Sequence, residues 1–190
     1  MFDLDRFVED CKTCAARERS SGAIRELVAR HVSDPAAVLK ALGEPTRAGL
    51  AKLYHSADLT ILNVIWAPRM TLLPHDHRMW AVIGIYTGRE DNIFWCRKGG
   101  EYNRIEASGA RALSTKETDA LPDDVIHSVT NPTPRLTGAI HVYGDDFFGT
   151  PRSEWDPERL SEEPCDIPRI MRLFEEANAA YPEVLKDKRK

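Results

Sequence analysis

The chain has 190 residues, 42% of them hydrophobic and 29% charged, with a net charge of −4. That is one domain's worth of chain with enough apolar residues for a core. It lacks the global positive field that would gather nucleic acid or anionic lipid.

No run of 18 apolar residues offers a membrane span. The opening stretch, MFDLDRFVEDC, carries acids where a secretory signal needs a basic start and an apolar run, so a cytoplasmic location is expected. The basic end, residues 186–190, reads as a solvated tail. Four cysteines are present, Cys11, Cys14, Cys96 and Cys165. In a reducing compartment they predict no structural disulfide. Cys11 and Cys14 form one isolated C-x-x-C inside a helical pattern, where an i, i+3 pair shares a face, and this is a weak metal or redox signal.

Leu4, Phe7, Val8, Cys11 and Ala15 recur at helical spacing, which predicts a helix over residues 3–18. Ser21 caps a second, with Ile24, Leu27, Val28 and His31 on one side. Asp34-Pro35 opens a third, and Gly43 ends it. From about residue 50 to 148 the pattern changes to short strands with turn signals between them, at 59–66, 81–86, 92–97, 101–105, 124–129 and 136–143. Many short antiparallel strands favour a barrel or jelly roll. Residues 149–168 hold Pro151, Pro157, Pro164 and Pro168 and read as an extended arm. Asp166 caps a last helix with Ile170, Met171 and Phe174, ended or kinked at Tyr181-Pro182. The expected organisation is one domain: a helical segment (1–48), a β-barrel (49–148), and a C-terminal arm and helix (149–190).

Six histidines are present. His75 and His77, in Pro74-His-Asp-His-Arg78, are two residues apart, so on a strand both rings face one way. His127 lies on a later strand that a barrel brings within reach. Three imidazoles suit iron, zinc, copper or nickel alike. His31 and His55 are read as outside this group.

Here the sequence resembles the cupin superfamily. His75-x-His77-x3-Ala81-x6-Gly88 keeps the spacing of its first motif, with alanine for the ligand glutamate. Pro122-x-Asp124-x2-His127-x3-Asn131 keeps most of the second. The resemblance implies a mainly β, RmlC-like jelly-roll barrel with metal ligands His75, His77 and His127.

Loss of the glutamate resembles the thiol dioxygenases, the cysteine dioxygenase and 3-mercaptopropionate dioxygenase group. Gly138-Ala-Ile-His-Val-Tyr-Gly144 is similar to their Ser-x-His-x-Tyr segment, with Ala139 in place of the serine. That resemblance implies Fe(II), a small thiol carboxylate and O2 as the reacting partners, and His141 and Tyr143 beside the metal. Water is expected to replace the missing serine. The early arginine of typical cysteine dioxygenases has no clear match, and Ser56 falls about there. Arg152, nine residues after the tyrosine, matches the carboxylate-binding arginine of the 3-mercaptopropionate enzymes. Two other functions fit the same residues: a three-histidine cupin cleaving a carbon–carbon bond, and a metal-binding cupin without catalysis.

Overall fold

The computed structural model describes residues 2–17, 21–99 and 104–180. The basic tail, Tyr181-Pro182 and most of the strand expected at 101–105 lie outside these residues. Among them, no helix is long and apolar enough to cross a membrane.

The chain opens with three helices, α1 (Leu4–Arg17), α2 (Ser21–Val32) and α3 (Pro35–Leu42). The Asp34 carboxylate accepts from Ala37 N at 3.2 Å, and Pro35 occupies the first turn, where its missing N–H has no partner to lose. Cys11 is fully buried in α1, and all four cysteines are free thiols. Burial pushes the Cys11 thiol far above its usual range, the state of an inert core cysteine rather than a redox pair.

Eleven strands follow among the described residues. They are β1 (Gly49–His55), β2 (Thr60–Trp66), β3 (Thr71–Asp76), β4 (Ala81–Thr87), β5 (Arg89–Arg97), β6 (Ile105–Ser114), β7 (Thr118–Leu121), β8 (Ile126–Thr130), β9 (Thr137–Tyr143), β10 (Ser153–Trp155) and β11 (Glu162–Pro164). Helix α4 (Ile167–Ala180) ends the described chain. β5 pairs with β6, β4 with β7, β3 with β8 and β2 with β9, all antiparallel. This is one long two-stranded ribbon wound up on itself. Successive turns of the ribbon fall alternately in a five-stranded sheet, β1-β2-β9-β4-β7, and a six-stranded one, β11-β10-β3-β8-β5-β6. That winding is the jelly roll expected from the sequence.

The first sheet is buried on both faces. Leu62, Val64, Ala81, Ile83 and Tyr143 point into the roll, while Ile61, Val82, Ile140 and Val142 meet the helices. Its strands therefore read as continuous apolar runs rather than alternating ones. Gly84 lets α2 approach: a Cβ there would lie 2.3 Å from Val28 Cγ1. The expected C-terminal arm is extended, and part of it adds β10 and β11 to the second sheet, with Glu154 opposite His75.

Asn131, the residue that closes the second motif, is a structural hub. Its amide donates to the carbonyls of Ala67 (3.0 Å) and Arg135 (2.7 Å), and its oxygen accepts from Thr133 N at 3.0 Å. Asn131→Ala strands these buried groups, so a loss of at least about 2 kcal/mol is expected on chemical denaturation, with the fold retained.

Candidate metal centre

β3 and β8 bring the three histidines together. His75 lies directly opposite His127 across the pair, and a register irregularity between Leu72 and His75 precedes this match. His77 sits one residue beyond the last residue of β3 rather than within the strand. All three side chains are buried. His77 Nε2 is 3.2 Å from His75 Nε2 and 3.3 Å from His127 Nε2, and one nitrogen from each ring lies within 4.8 Å of the others.

The outer ring nitrogens decide what the inner ones present. His75 Nδ1 donates to the Leu73 carbonyl at 2.8 Å, and His127 Nδ1 donates to Asn92 Oδ1 at 2.7 Å. Each Nε2 of this pair therefore turns a lone pair inward. Burial holds the His75 imidazole down at about 4, and burial with the neighbouring imidazoles holds His77 and His127 well below the ordinary value. Neutral rings with inward lone pairs are the ligand form. Two nitrogens about 2.1 Å from one ion, and about 90–109° apart around it, would be about 3.0–3.4 Å from each other. Both separations fall in that range and all three ring nitrogens lie within 4.8 Å of one another, so the residues fit a divalent metal.

Ala81, at the position where the resemblance expects a glutamate, lies in the interior opposite Tyr143. Alternate residues of β9, Ala139, His141 and Tyr143, share one face, as the strand period requires. The Tyr143 hydroxyl meets His141 Nδ1 at 3.0 Å, and its ring stands edge-on to His77 with centroids 5.0 Å apart. Burial pushes the Tyr143 hydroxyl up, so it is neutral.

Where water is expected to replace the missing serine, a buried carboxylate also stands near the same ring. His141 Nε2 faces the carboxylate of Glu90, with Oε2 3.5 Å away. Glu90 is fully buried and also accepts from Trp66 Nε1 at 2.8 Å and Asn92 Nδ2 at 3.0 Å. Burial raises its carboxyl, but His141, Asn92 and Trp66 more than offset this and hold it below the usual value. Glu90 and Asn92 were not singled out from the sequence. Thr87-Gly-Arg-Glu-Asp91 reads as a polar turn, whereas β5 begins at Arg89 and turns Glu90, Asn92 and Phe94 to one face. The alternation of Glu90 and Asn92 with Arg89 and Asp91 was the available signal.

The histidines line a cavity of about 190 Å³. That is below the ~300–1,000 Å³ of drug-sized ligand sites, so the occupant is small. Val64, Leu72, Val129 and Phe147 form apolar walls, and α4 roofs it with Ile170 and Phe174. Arg152 also lines it and is 9% exposed. Its guanidinium donates to the Phe147 carbonyl and stacks on the Phe147 ring at 3.8 Å, and that ring in turn lies 4.3 Å from Tyr143. Among the described residues, no carboxylate lies in ion-pair range of Arg152. Ser56 is elsewhere, bonded to Asp58 at 2.7 Å in a turn. Arg78 pairs with Asp76 at 2.5 Å and points away from the cavity lining. Trp80 packs against the helical side of the first sheet.

A buried imidazole held below its ordinary 6.5 is neutral in the folded chain and protonated in the unfolded one between the two values. Stability of the metal-free protein is therefore expected to fall as pH drops from 6.5 toward about 4. Thermal melts across that window check it; a flat melting temperature would contradict the burial.

No family model matches the sequence. Solved structures with similar folds include a variant of Bacillus subtilis oxalate decarboxylase, at 17% identity and TM-score 0.40, over 50% of this chain and 23% of that one. Another is an RmlC-like cupin family protein with a double-stranded β-helix fold from Methanocaldococcus jannaschii, at 10% identity and TM-score 0.46, over 55% of this chain and 86% of that one. A Bacillus halodurans protein matches at 14% identity and TM-score 0.44, over 52% and 71%. The chain thus spans less than a quarter of the decarboxylase, and its wound ribbon, with strand pairs 5–6, 4–7, 3–8 and 2–9, is by itself a cupin-type jelly roll.

Proposed function

We propose that the protein is a non-haem Fe(II) thiol dioxygenase that converts a small mercapto acid and O2 to the sulfinate, R–SH + O2 → R–SO2− + H+. One observation carries the reading: a buried arginine with no carboxylate partner among the described residues shares a small cavity with three converging imidazoles. A desolvated guanidinium without a counter-charge is costly, and a ligand carboxylate supplies that charge with two parallel hydrogen bonds.

Iron(II) bound here would supply adjacent open positions for sulfur and O2 and a redox path between them, the four electrons that O2 takes up coming from the sulfur. His75, His77 and His127 hold it without a carboxylate, which leaves its charge available to an anionic sulfur. Arg152 takes the carboxylate, and the Phe147 ring beneath the guanidinium limits its tilt. Two fixed ends leave the substrate little freedom, which is the source of the proximity effect. Leu72, Val129 and Phe174 keep bulk water out. Tyr143 turns its hydroxyl oxygen toward the groups bound beside it, where it can accept from a thiol S–H, and His141 holds that hydroxyl in place.

The apolar walls also favour a second reading, a three-histidine cupin that cleaves a carbon–carbon bond. Oxygen uptake separates the two. The protein is reconstituted with iron, manganese, nickel or zinc and offered 3-mercaptopropionate, cysteine, cysteamine and a β-diketone. Uptake with the mercapto acids and the iron form supports the proposal. Uptake with the diketone alone supports the second reading, and none with any substrate leaves a metal-binding cupin without catalysis.

Arg152→Ala is expected to weaken apparent affinity for the preferred mercapto acid by about 10- to 150-fold, the equivalent of about 1.5–3 kcal/mol for a charge-assisted hydrogen bond. Unchanged kinetics would put the carboxylate elsewhere. Tyr143→Phe is expected to lower turnover with metal content intact, measured by oxygen electrode and metal analysis on the same sample.

A further inference from the structure

The carboxylate of Glu90 has three N–H donors turned toward it, and two of them lead back to the metal centre. Asn92 Nδ2 reaches it at 3.0 Å, while Asn92 Oδ1 accepts from His127 Nδ1 at 2.7 Å. His141 Nε2 faces it at 3.5 Å, and His141 Nδ1 meets the Tyr143 hydroxyl at 3.0 Å. Trp66 Nε1, at 2.8 Å, completes the set. The 3.5 Å separation is longer than a formed hydrogen bond, yet the buried His141 Nε2 has no other partner among the described residues.

We propose that Glu90 is a positioning residue that fixes, from one buried carboxylate, both the nitrogen His127 turns to the metal and the direction of the Tyr143 hydroxyl proton. This rests on the reading above for the roles of His127 and Tyr143.

Hydrogen-bond polarity carries the effect outward. A carboxylate has lone pairs and no hydrogen to give. Asn92 must therefore show Glu90 its NH2 group, which turns its oxygen toward His127. The shape of an amide does not choose between its two orientations, but a fixed anion does. His127 Nδ1 is then the donor, and its Nε2 lone pair is committed to the cluster.

The second branch follows the same rule. The His141 nitrogen that faces an anion carries the hydrogen, so in the neutral ring Nδ1 bears the lone pair. Tyr143 then donates its proton to His141 and turns an oxygen lone pair to the cavity. Toward a bound ligand Tyr143 is an acceptor. The serine hydroxyl that Ala139 replaces could have donated or accepted; a carboxylate allows one arrangement.

Glu90→Gln nearly preserves shape and gives the site one acceptor oxygen and one NH2 group. Three donors cannot all find an acceptor there. His141 is the member that can respond, by moving its hydrogen from Nε2 to Nδ1. Imidazole tautomers are read by long-range 15N–1H correlation on the zinc-loaded protein, with His141 assigned through His141→Gln. The expected result is Nε2–H in the wild type and Nδ1–H in Glu90→Gln. Nδ1–H in the wild type, alone or together with Nε2–H, a measurement that needs no folded variant, overturns the proposal, as does the same tautomer in both proteins.

Zinc affinity, measured by chelator competition, tests the other branch. Asn92→Ala and Glu90→Ala are expected to weaken it by about 10- to 100-fold, the usual effect of losing a partner behind a ligand. Unchanged affinity in both overturns that half. None of these readouts involves thiol turnover, so a protein inactive on thiols but with the expected tautomers refutes the enzyme assignment alone. If zinc does not bind, the metal reading fails, and the tautomer of the metal-free protein still decides the role of Glu90 toward Tyr143.

Discussion

The register between β3 and β8 is the constraint on which the site depends. His75 faces His127 only because this pair is aligned as it is, and a slip of one residue would turn one ring out of the roll. Several elements hold that alignment. β5 flanks β8 with Phe94 opposite His127, and β10 flanks β3 with Glu154 opposite His75. Ser153 N donates to Asp76 at 2.7 Å, which pins the end of β3 next to His77. The C-terminal arm is thus part of the scaffold of the histidines, and it carries Arg152 to the cavity.

The charge balance differs from that of a cupin with a ligating glutamate. Ala81 removes the carboxylate from direct contact with the metal position. Glu90 restores a negative charge one layer back, buried and held by two hydrogen bonds, from Trp66 and Asn92, with His141 Nε2 3.5 Å away. Under the metal reading proposed above, such a centre would keep its coordination positions for incoming ligands while the interior still contains an anion. A buried carboxylate is tolerable because each of its neighbours is polarised toward it.

Much of this was legible in the sequence, and the omissions have physical causes. The four helices were readable from apolar spacing and caps, because Asp34-Pro35 and Asp166 satisfy helix ends locally. The strands β2, β4, β8 and β9 stood out as apolar runs. β6 did not, since its residues from Glu106 to Ala112 are exposed and small or charged. β7, β10 and β11 have three or four residues each and depend on neighbours rather than on their own pattern. The histidine trio was visible from motif spacing. Glu90 was not, because a charged residue beside a glycine turn reads as surface until the first sheet closes over it.

Helix α4 is tethered along its length. Arg169 bridges to Glu154, Arg47 pairs with Glu175, and Asn178 exchanges two hydrogen bonds with the backbone of Ala48. The ties to Ala48 and to the buried Glu154 hold this roof over the cavity, and Phe148 and Met171 are the exposed apolar residues at its rim. The space beneath it, about 190 Å³, has room for a small solute and none for a loop of a folded partner.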